Sequence, residues 1–304
     1  MKNDKLSSIY KAHFHLPGLF EFPEFYEKFL LLYKTHPEYF YDWCDIGSIY
    51  GAPGDCIWGG GRAGFGQDHI EEKILLLSRQ YGFSVRFTFS NSLLETRHLE
   101  DVKCNDLCRK FHDEKNGIIV HSDLLLKYLL EKYPDYYFVS STTKVLEDFN
   151  DFKNELGRTE FSYVVPDFRL NRNFGELEKL SREEKSKVEF LCNECCWFEC
   201  SSRKKCYEYV SRKILGIDVP DWRCSSPESG GGYVFSKAME NPGFISVEDI
   251  QEIFLPMGFS NFKIEGRSLG SALVFEMLLY YMVKSEFHLK AREKIYLDNT
   301  LDLF

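Results

Sequence analysis

The sequence predicts a single (β/α)8 barrel of the TIM type. Three observations predict it: eight short β-rich runs, helical stretches between most of them, and 304 residues with 44% hydrophobic content and no break in composition. Strands alternating with helices imply a parallel sheet joined by right-handed crossovers, and eight strands suffice to close a barrel. Such barrels run to about 250 residues or more as one domain. An open doubly wound sheet is the competing architecture.

Residues 1–38 precede the first clear run and read as an N-terminal extension, in which 13–16 offers a β segment and 23–33 a helix. Residues 39–50 form the first strand and end in polar residues and glycine. Residues 68–80 follow as a helix, with Ile70, Ile74, Leu75 and Leu77 at helical spacing. Residues 83–89, FSVRFTF, alternate as a strand does. The next helix, 99–114, closes at Asn116-Gly117, residues that tolerate a left-handed backbone. Strand 117–120 then leads to helix 123–132, which stops before Pro134. Strand 136–140, helix 143–154, strand 161–165, helix 174–187 and strand 188–191 bring the count to six. After a Cys-rich insert over 192–242, residues 243–246 supply a seventh strand, with 247–255 as its helix. Residues 261–265 are the eighth strand, and 269–283 a strongly apolar closing helix.

A formal charge of -9 argues against a general nucleic-acid or anionic-membrane surface, although a local basic pocket for a folded RNA stays open. A membrane span needs about 20 apolar residues. The most apolar stretch, 271–283, is shorter and carries Glu276. Residues 1–10 hold lysines without an apolar core, so no signal peptide is expected and the expected compartment is the cytoplasm.

In that compartment ten cysteines do not make a disulfide framework. Six of them fall between 192 and 224. Cys196, Cys200, Cys206 and Cys224 give C-x3-C-x5-C-x17-C, with Cys192 and Cys195 upstream and Cys192 in reserve for Cys206. Four thiolates surround either a tetrahedral zinc or an iron–sulfur cubane. Zinc knuckles favour paired C-x2-C turns, which only Cys192 and Cys195 show, so the irregular spacing leans to iron–sulfur. Arg203, Lys204 and Lys205 favour thiolates electrostatically. Cys104, Cys108 and His112 share a helix face that reads as packing, and Cys44 and Cys56 as isolated thiols, Cys44 near enough to a strand end to approach the mouth.

The run NFKIEGRSLGSALVFEMLLYYM from Asn261, preceded by ISVEDIQEIFLPMGF from Ile245, resembles the closing strand and helix of the collagenase-like peptidase family U32. The resemblance is specific over residues 188–283 and includes the position of the Cys-rich stretch. It implies a TIM-type barrel with a four-Cys [4Fe-4S] cluster. Some members are classed as peptidases; others support oxygen-independent hydroxylation of RNA bases or quinone precursors. By that analogy Cys196, Cys200, Cys206 and Cys224 are the ligands. The spacing differs from the usual one, and no Cys-x3-Cys-Arg follows Cys224.

In a barrel, functional residues gather where strands give way to helices. Here those positions are polar: Asp45 and Ser48, Ser90 and Asn91, His121 and Ser122, Ser140 to Thr143, Asp167 and Arg169, Asn193 and Glu194, Glu265 and Arg267. His121 is a candidate base, Asp167 and Glu194 a candidate carboxylate pair, and Glu265 with Arg267 a substrate clamp or an ion pair. The glycine-rich WGGGRAGFG from Trp58 suits a lid over the mouth, with Arg62 for an anion. No HExxH helix or Ser/His/Asp order is present. The expected function is redox or hydroxylation chemistry on an organic, peptide or RNA substrate, with an electron donor as partner. A peptidase-like hydrolase with a structural metal and a metal-stabilised binding protein are the alternatives.

Overall fold

Eight parallel strands form one sheet in the computed structural model, which describes residues 11–61, 69–227 and 234–297. They are β1 (Ala12–Pro17), β2 (Cys44–Gly51), β3 (Ser84–Phe89), β4 (Gly117–Val120), β5 (Tyr137–Ser140), β6 (Phe161–Val164), β7 (Glu189–Leu191) and β8 (Asn261–Lys263). The order is β6-β5-β4-β3-β2-β1-β8-β7, and a parallel bridge between Val164 and Val188 brings the two edges together. The sheet is thereby a nearly closed single (β/α)8 barrel. Helices α1 (Pro23–Thr35), α2 (Glu71–Tyr81), α3 (Val102–Lys110), α4 (Asp123–Lys132), α5 (Phe149–Leu156), α6 (Phe174–Leu177) and α7 (Arg182–Lys187) lie in the connections. Helix α8 (Arg203–Ile214) belongs to the Cys-rich segment, and Ser271–Met282 is the apolar closing helix.

Two expected assignments are corrected. Residues 13–16 are no extension: β1 sits inside the sheet, paired with β2 on one side and β8 on the other. Residues 243–246 form no strand. The Ile245 N–H donates to the Cys192 carbonyl at 2.9 Å and the Tyr281 hydroxyl to the Ile245 carbonyl at 2.9 Å, so Phe244 and Ile245 are apolar because a loop buries them. The Cys-rich segment therefore follows the seventh strand, not the sixth.

The local signals act as their chemistry requires. Ser122 caps α4 by accepting the Leu125 N–H, and Leu125, Leu126 and Leu129 turn the buried face inward. The expected helix 174–187 divides in two because Ser181 and Glu184 form a capping box that starts α7 afresh. Glycine at 47 answers a packing need. Phe14 pairs with Ile46 and His15 with Ser48, leaving Gly47 as the extra residue of a bulge. A Cβ there would stand 2.7 Å from His15 Cε1.

Alternation along the strands separates two cores. Phe14, Phe87, Phe89, Phe138, Phe190 and Phe262 belong to the large apolar cluster that takes in the helices. A second cluster, Tyr50, Ile119, Val139, Val165 and Leu191 with Tyr137 and Tyr163, is drawn from the alternate strand positions and fills the barrel. Among the described residues no helix is long and apolar enough to cross a membrane.

Candidate functional site at the barrel mouth

Toward the N-terminal ends of the strands, the interior positions carry charge. Arg86 of β3 donates to Glu189 of β7 at 2.5 Å and to the Tyr137 hydroxyl at 2.7 Å. His15 Nε2 and Lys263 Nζ each lie 3.5 Å from Glu189, and His15 Nδ1 lies 2.9 Å from the Ser48 hydroxyl. All four charged or titratable groups are buried. Burial alone would raise the Glu189 carboxyl, but Arg86, His15 and Lys263 hold it at about 2. Burial, with Arg86, pushes His15 down to about 3. Burial also pushes Lys263 down to about 8, against the pull of Glu189.

Above the small apolar cluster the interior opens into a cavity lined by Tyr50, Thr88, Ser90, Ser141, Lys263, Glu265 and Arg267, with Glu194 at its edge. Lys263 ends β8, and Glu265 and Arg267 continue its two-residue period onto the same side. Arg267 donates to Glu21 at 3.3 Å, to the Gly60 carbonyl at 3.2 Å and to the Thr88 hydroxyl at 3.0 Å. Gly60 has no room for a side chain, since a Cβ would lie 2.4 Å from the Ser90 carbonyl carbon. The Glu265 N–H donates to Asn193 Oδ1 at 2.7 Å, and Asn193 Nδ2 donates to the Glu265 carbonyl at 3.0 Å. That exchange ties the end of β7 to the end of β8.

Four cysteines expected as ligands come together. Cys196, Cys200, Cys206 and Cys224 all line one cavity of about 320 Å³, which shares Gly61, Tyr207 and Arg267 with the mouth. Thiols of the first three are half-buried and Cys224 is exposed. Cys192 is elsewhere: it is fully buried in the apolar core, donates to the Phe190 carbonyl at 3.6 Å and does not line the cavity. Cys195 turns toward Glu265, 3.7 Å from Oε1, and forms with Glu194 and Glu265 a group whose donor atoms lie within 4.8 Å of one another.

Arg203, the first residue of α8, organises this region. It is 2% exposed, donates to Asp167 at 2.7 Å and to the Tyr207 hydroxyl at 2.9 Å, and pairs with Glu194. The Glu194 carboxylate also accepts the N–H groups of Cys195 and Cys196 at 2.9 and 3.0 Å. Asp167 and Glu194 are thus brought together and bridged by a cation. Arg169, held by Asp167 at 2.6 Å, donates to the Cys200 carbonyl at 3.3 Å. The buried Arg203, the half-buried Arg169 and two buried carboxylates thereby brace the cysteine-bearing loop.

Other expected residues scatter. His121 Nδ1 lies 2.8 Å from the hydroxyl of Thr143, a mouth residue, and burial, then Lys144 and Lys204, push it down to about 4. Asp45 stands at the opposite end of the barrel, because β2 runs on to Gly51; there it pairs with His13 at 3.4 Å. Ser48 is an interior residue against His15, and Cys44, also at the start of β2, is buried away from the mouth. Ser90 accepts from Ser141 at 2.9 Å, Ser140 donates to Glu155 at 2.6 Å, and Asn91 donates to the Ile57 carbonyl at 3.0 Å. Ser122 serves as a cap. Cys104 and Cys108 are packed, as the helix face implied. Of the proposed lid, residues 62–66, with Arg62, lie outside the described residues.

Lys263, Glu21 and the bridging role of Arg203 enter the site only with the structure. Lys263 was within reach, because K-x-E-x-R places it on the face of Glu265 and Arg267. The partners of Arg203 and Arg267 lie far away in the chain, and no local pattern announces them.

No known sequence family matches the chain, and no curated protein matches it. Its fold is similar to the structure of the U32 peptidase Mk0906, with a TM-score of 0.50 and 15% identity over 85% of this chain and 93% of that one. At that identity the likeness extends to the fold alone.

Proposed function

We propose that Cys196, Cys200, Cys206 and Cys224 hold a [4Fe-4S] cluster, and that the barrel performs redox chemistry of the oxygen-independent hydroxylation kind on an organic substrate or RNA base. The observation that carries this reading is the one cavity all four thiols line, next to a polar barrel mouth. Four thiolates are the donor set such a cluster takes, and when bound it supplies one-electron transfer.

The chain's own residues supply binding and orientation. Arg203 is a fixed positive charge on the cavity wall and favours thiolates over thiols. Glu194 fixes the backbone from which Cys195 and Cys196 project. Lys263 and Arg267 offer cationic hydrogen-bond donors to a carbonyl or anionic oxygen of the substrate, and Glu265 an acceptor for a proton. His121, neutral at pH 7, polarises the Thr143 hydroxyl rather than adding charge. Hydroxylation without oxygen withdraws two electrons from the substrate, so the partner this chemistry requires is an external redox protein or co-substrate that accepts them.

Metal and sulfide content with visible absorption on anaerobically purified protein test the reading. About four irons per chain with a broad band near 400 nm are expected. Stoichiometric zinc without that band would remove the redox role. It would favour a second reading, a peptidase-like hydrolase with a structural metal, for which the Glu194, Cys195 and Glu265 group is the candidate ion-binding position. Cleavage of casein or collagen peptides, lost in Glu265→Gln, would then be the result to look for.

A further inference from the structure

The five cysteines outside the mouth are not equivalent. Cys44 and Cys192 each stand 3.6 Å from a carbonyl oxygen, an ordinary thiol contact. Cys56 and Cys104 stand with their sulfurs 2.7 Å apart, against about 2.05 Å in a disulfide. Both are buried, at 1% and 0% exposure. Cys56 lies on the loop that follows β2, and Cys104 in the first turn of α3. The residues just before them, Asp55 and Lys103, form an ion pair. Two consecutive loop residues therefore meet two consecutive helix residues, which holds the loop in register with the helix. Cys108, one turn further along α3, is buried as well, but its sulfur completes no three-donor group with them.

We infer that Cys56 and Cys104 are a disulfide site: a small-molecule disulfide of the glutathione type oxidises the pair, and the bond clamps the loop that walls the mouth onto α3. In the first step the thiolate of Cys56, on the loop, attacks the small disulfide; one S–S bond breaks, a mixed disulfide forms and one thiol leaves. In the second, the Cys104 thiolate attacks the Cys56 sulfur, the Cys56–Cys104 bond forms and a second thiol leaves. Two electrons and two protons pass from the protein to the two small thiols. Burial, and then Cys56 beside it, push the Cys104 thiol up, so attack awaits an opening of the loop and the finished bond is shielded.

The bond would act on the site through the loop. Trp58, two residues after Cys56, donates to the His98 carbonyl at 2.7 Å and accepts the Asn91 N–H at 3.1 Å. Gly60 and Gly61 line the mouth, Gly61 lines the cysteine cavity too, and the Gly60 carbonyl holds Arg267. A covalent tie at Cys56 would stiffen all of these together.

The full-length chain is incubated with glutathione disulfide, alkylated in denaturant and mapped by proteolysis and mass spectrometry. A peptide linking Cys56 to Cys104 is expected in most chains, reversed by dithiothreitol. The oxidised protein should melt about 5–10 °C above the reduced one, as expected when a long loop is closed. Cys104→Ala should show neither the linked peptide nor the shift. Recovery of Cys56 and Cys104 separately alkylated, or each carrying glutathione, would overturn the proposal. The wild-type map decides this even if the variant folds poorly. Iron content of the reduced chain reports on the four-cysteine cavity separately.

Discussion

At the floor of the barrel Arg86 meets Glu189; at its mouth Arg203 meets Asp167 and Glu194. Both guanidiniums are buried to within 2% exposure, and all three carboxylates are as deeply buried. The floor pair joins two strands, with His15 and Lys263 from two more, so four strands converge on one carboxylate. The mouth bridge joins loops and the start of α8, and its Glu194 carboxylate also orients the backbone beside Cys196. The same ionic contact therefore serves closure in one place and the posture of the cysteine-bearing loop in the other. Buried ion pairs add little net stability by themselves, yet breaking one leaves a charge stranded.

That contrast can be broken, and the floor should break hardest. Glu189→Ala strands Arg86 with no carboxylate, and urea unfolding should show a loss of about 3–5 kcal/mol; a loss under about 1 kcal/mol would mean the floor charges are not coupled. Arg203→Gln should cost less, about 1.5–3 kcal/mol, because the bridge borders a cavity that water can enter. It should cut bound iron severalfold, while Arg203→Lys restores part of it. Equal iron in wild type and Arg203→Gln would deny the bridge its role at the thiols.

Acid probes the floor without mutation. His15 is held at about 3, far below its free value, so below pH 6.5 the unfolded chain takes up a proton the folded chain refuses. Stability should fall by about 2 kcal/mol between pH 6.5 and 5. Glu189, held at about 2, adds stability that is full above its free value of 4.5 and fades as pH falls toward 2. Thermal melts across this range should slope, and His15→Gln should flatten the upper part. The smallest effect belongs to Cys192→Ala, about 1 kcal/mol for a lost core atom, with iron unchanged. A large drop in iron would return Cys192 to the ligand set.

The charged floor also explains what could be read in the sequence. Most strands announced themselves through apolar runs, and 123–132 was legible as a helix at both ends, because Ser122 and Pro134 bound it chemically. β1 was misplaced because His13 and His15 alternate with Phe14 and Leu16, a pattern that ordinarily marks a solvent-facing edge. Here the polar face points into the barrel, where Glu189 meets it. Residues 243–246 misled in the opposite way, since loop packing and strand pairing both select apolar residues. At the site, cysteine density marked the segment that lines the cavity, and position at a strand end marked Glu265 and Arg267. The bridging role of Arg203 escaped, since it depends on Asp167, which only the folded chain brings near.

The position of β1 has a consequence for the order in which the barrel is made. Of the eight strands of this sheet it comes first in the sequence, yet one of its edges pairs with β8, the last of the eight. A nascent chain carrying seven strands still presents that edge unpaired, and open strand edges invite association with other chains. Among the described residues, closure on the other side rests on one bridge, Val164 to Val188. Assembly of the ring is therefore a late event that joins its first strand to its last, and truncation near residue 261 would leave a sheet with no way to shut.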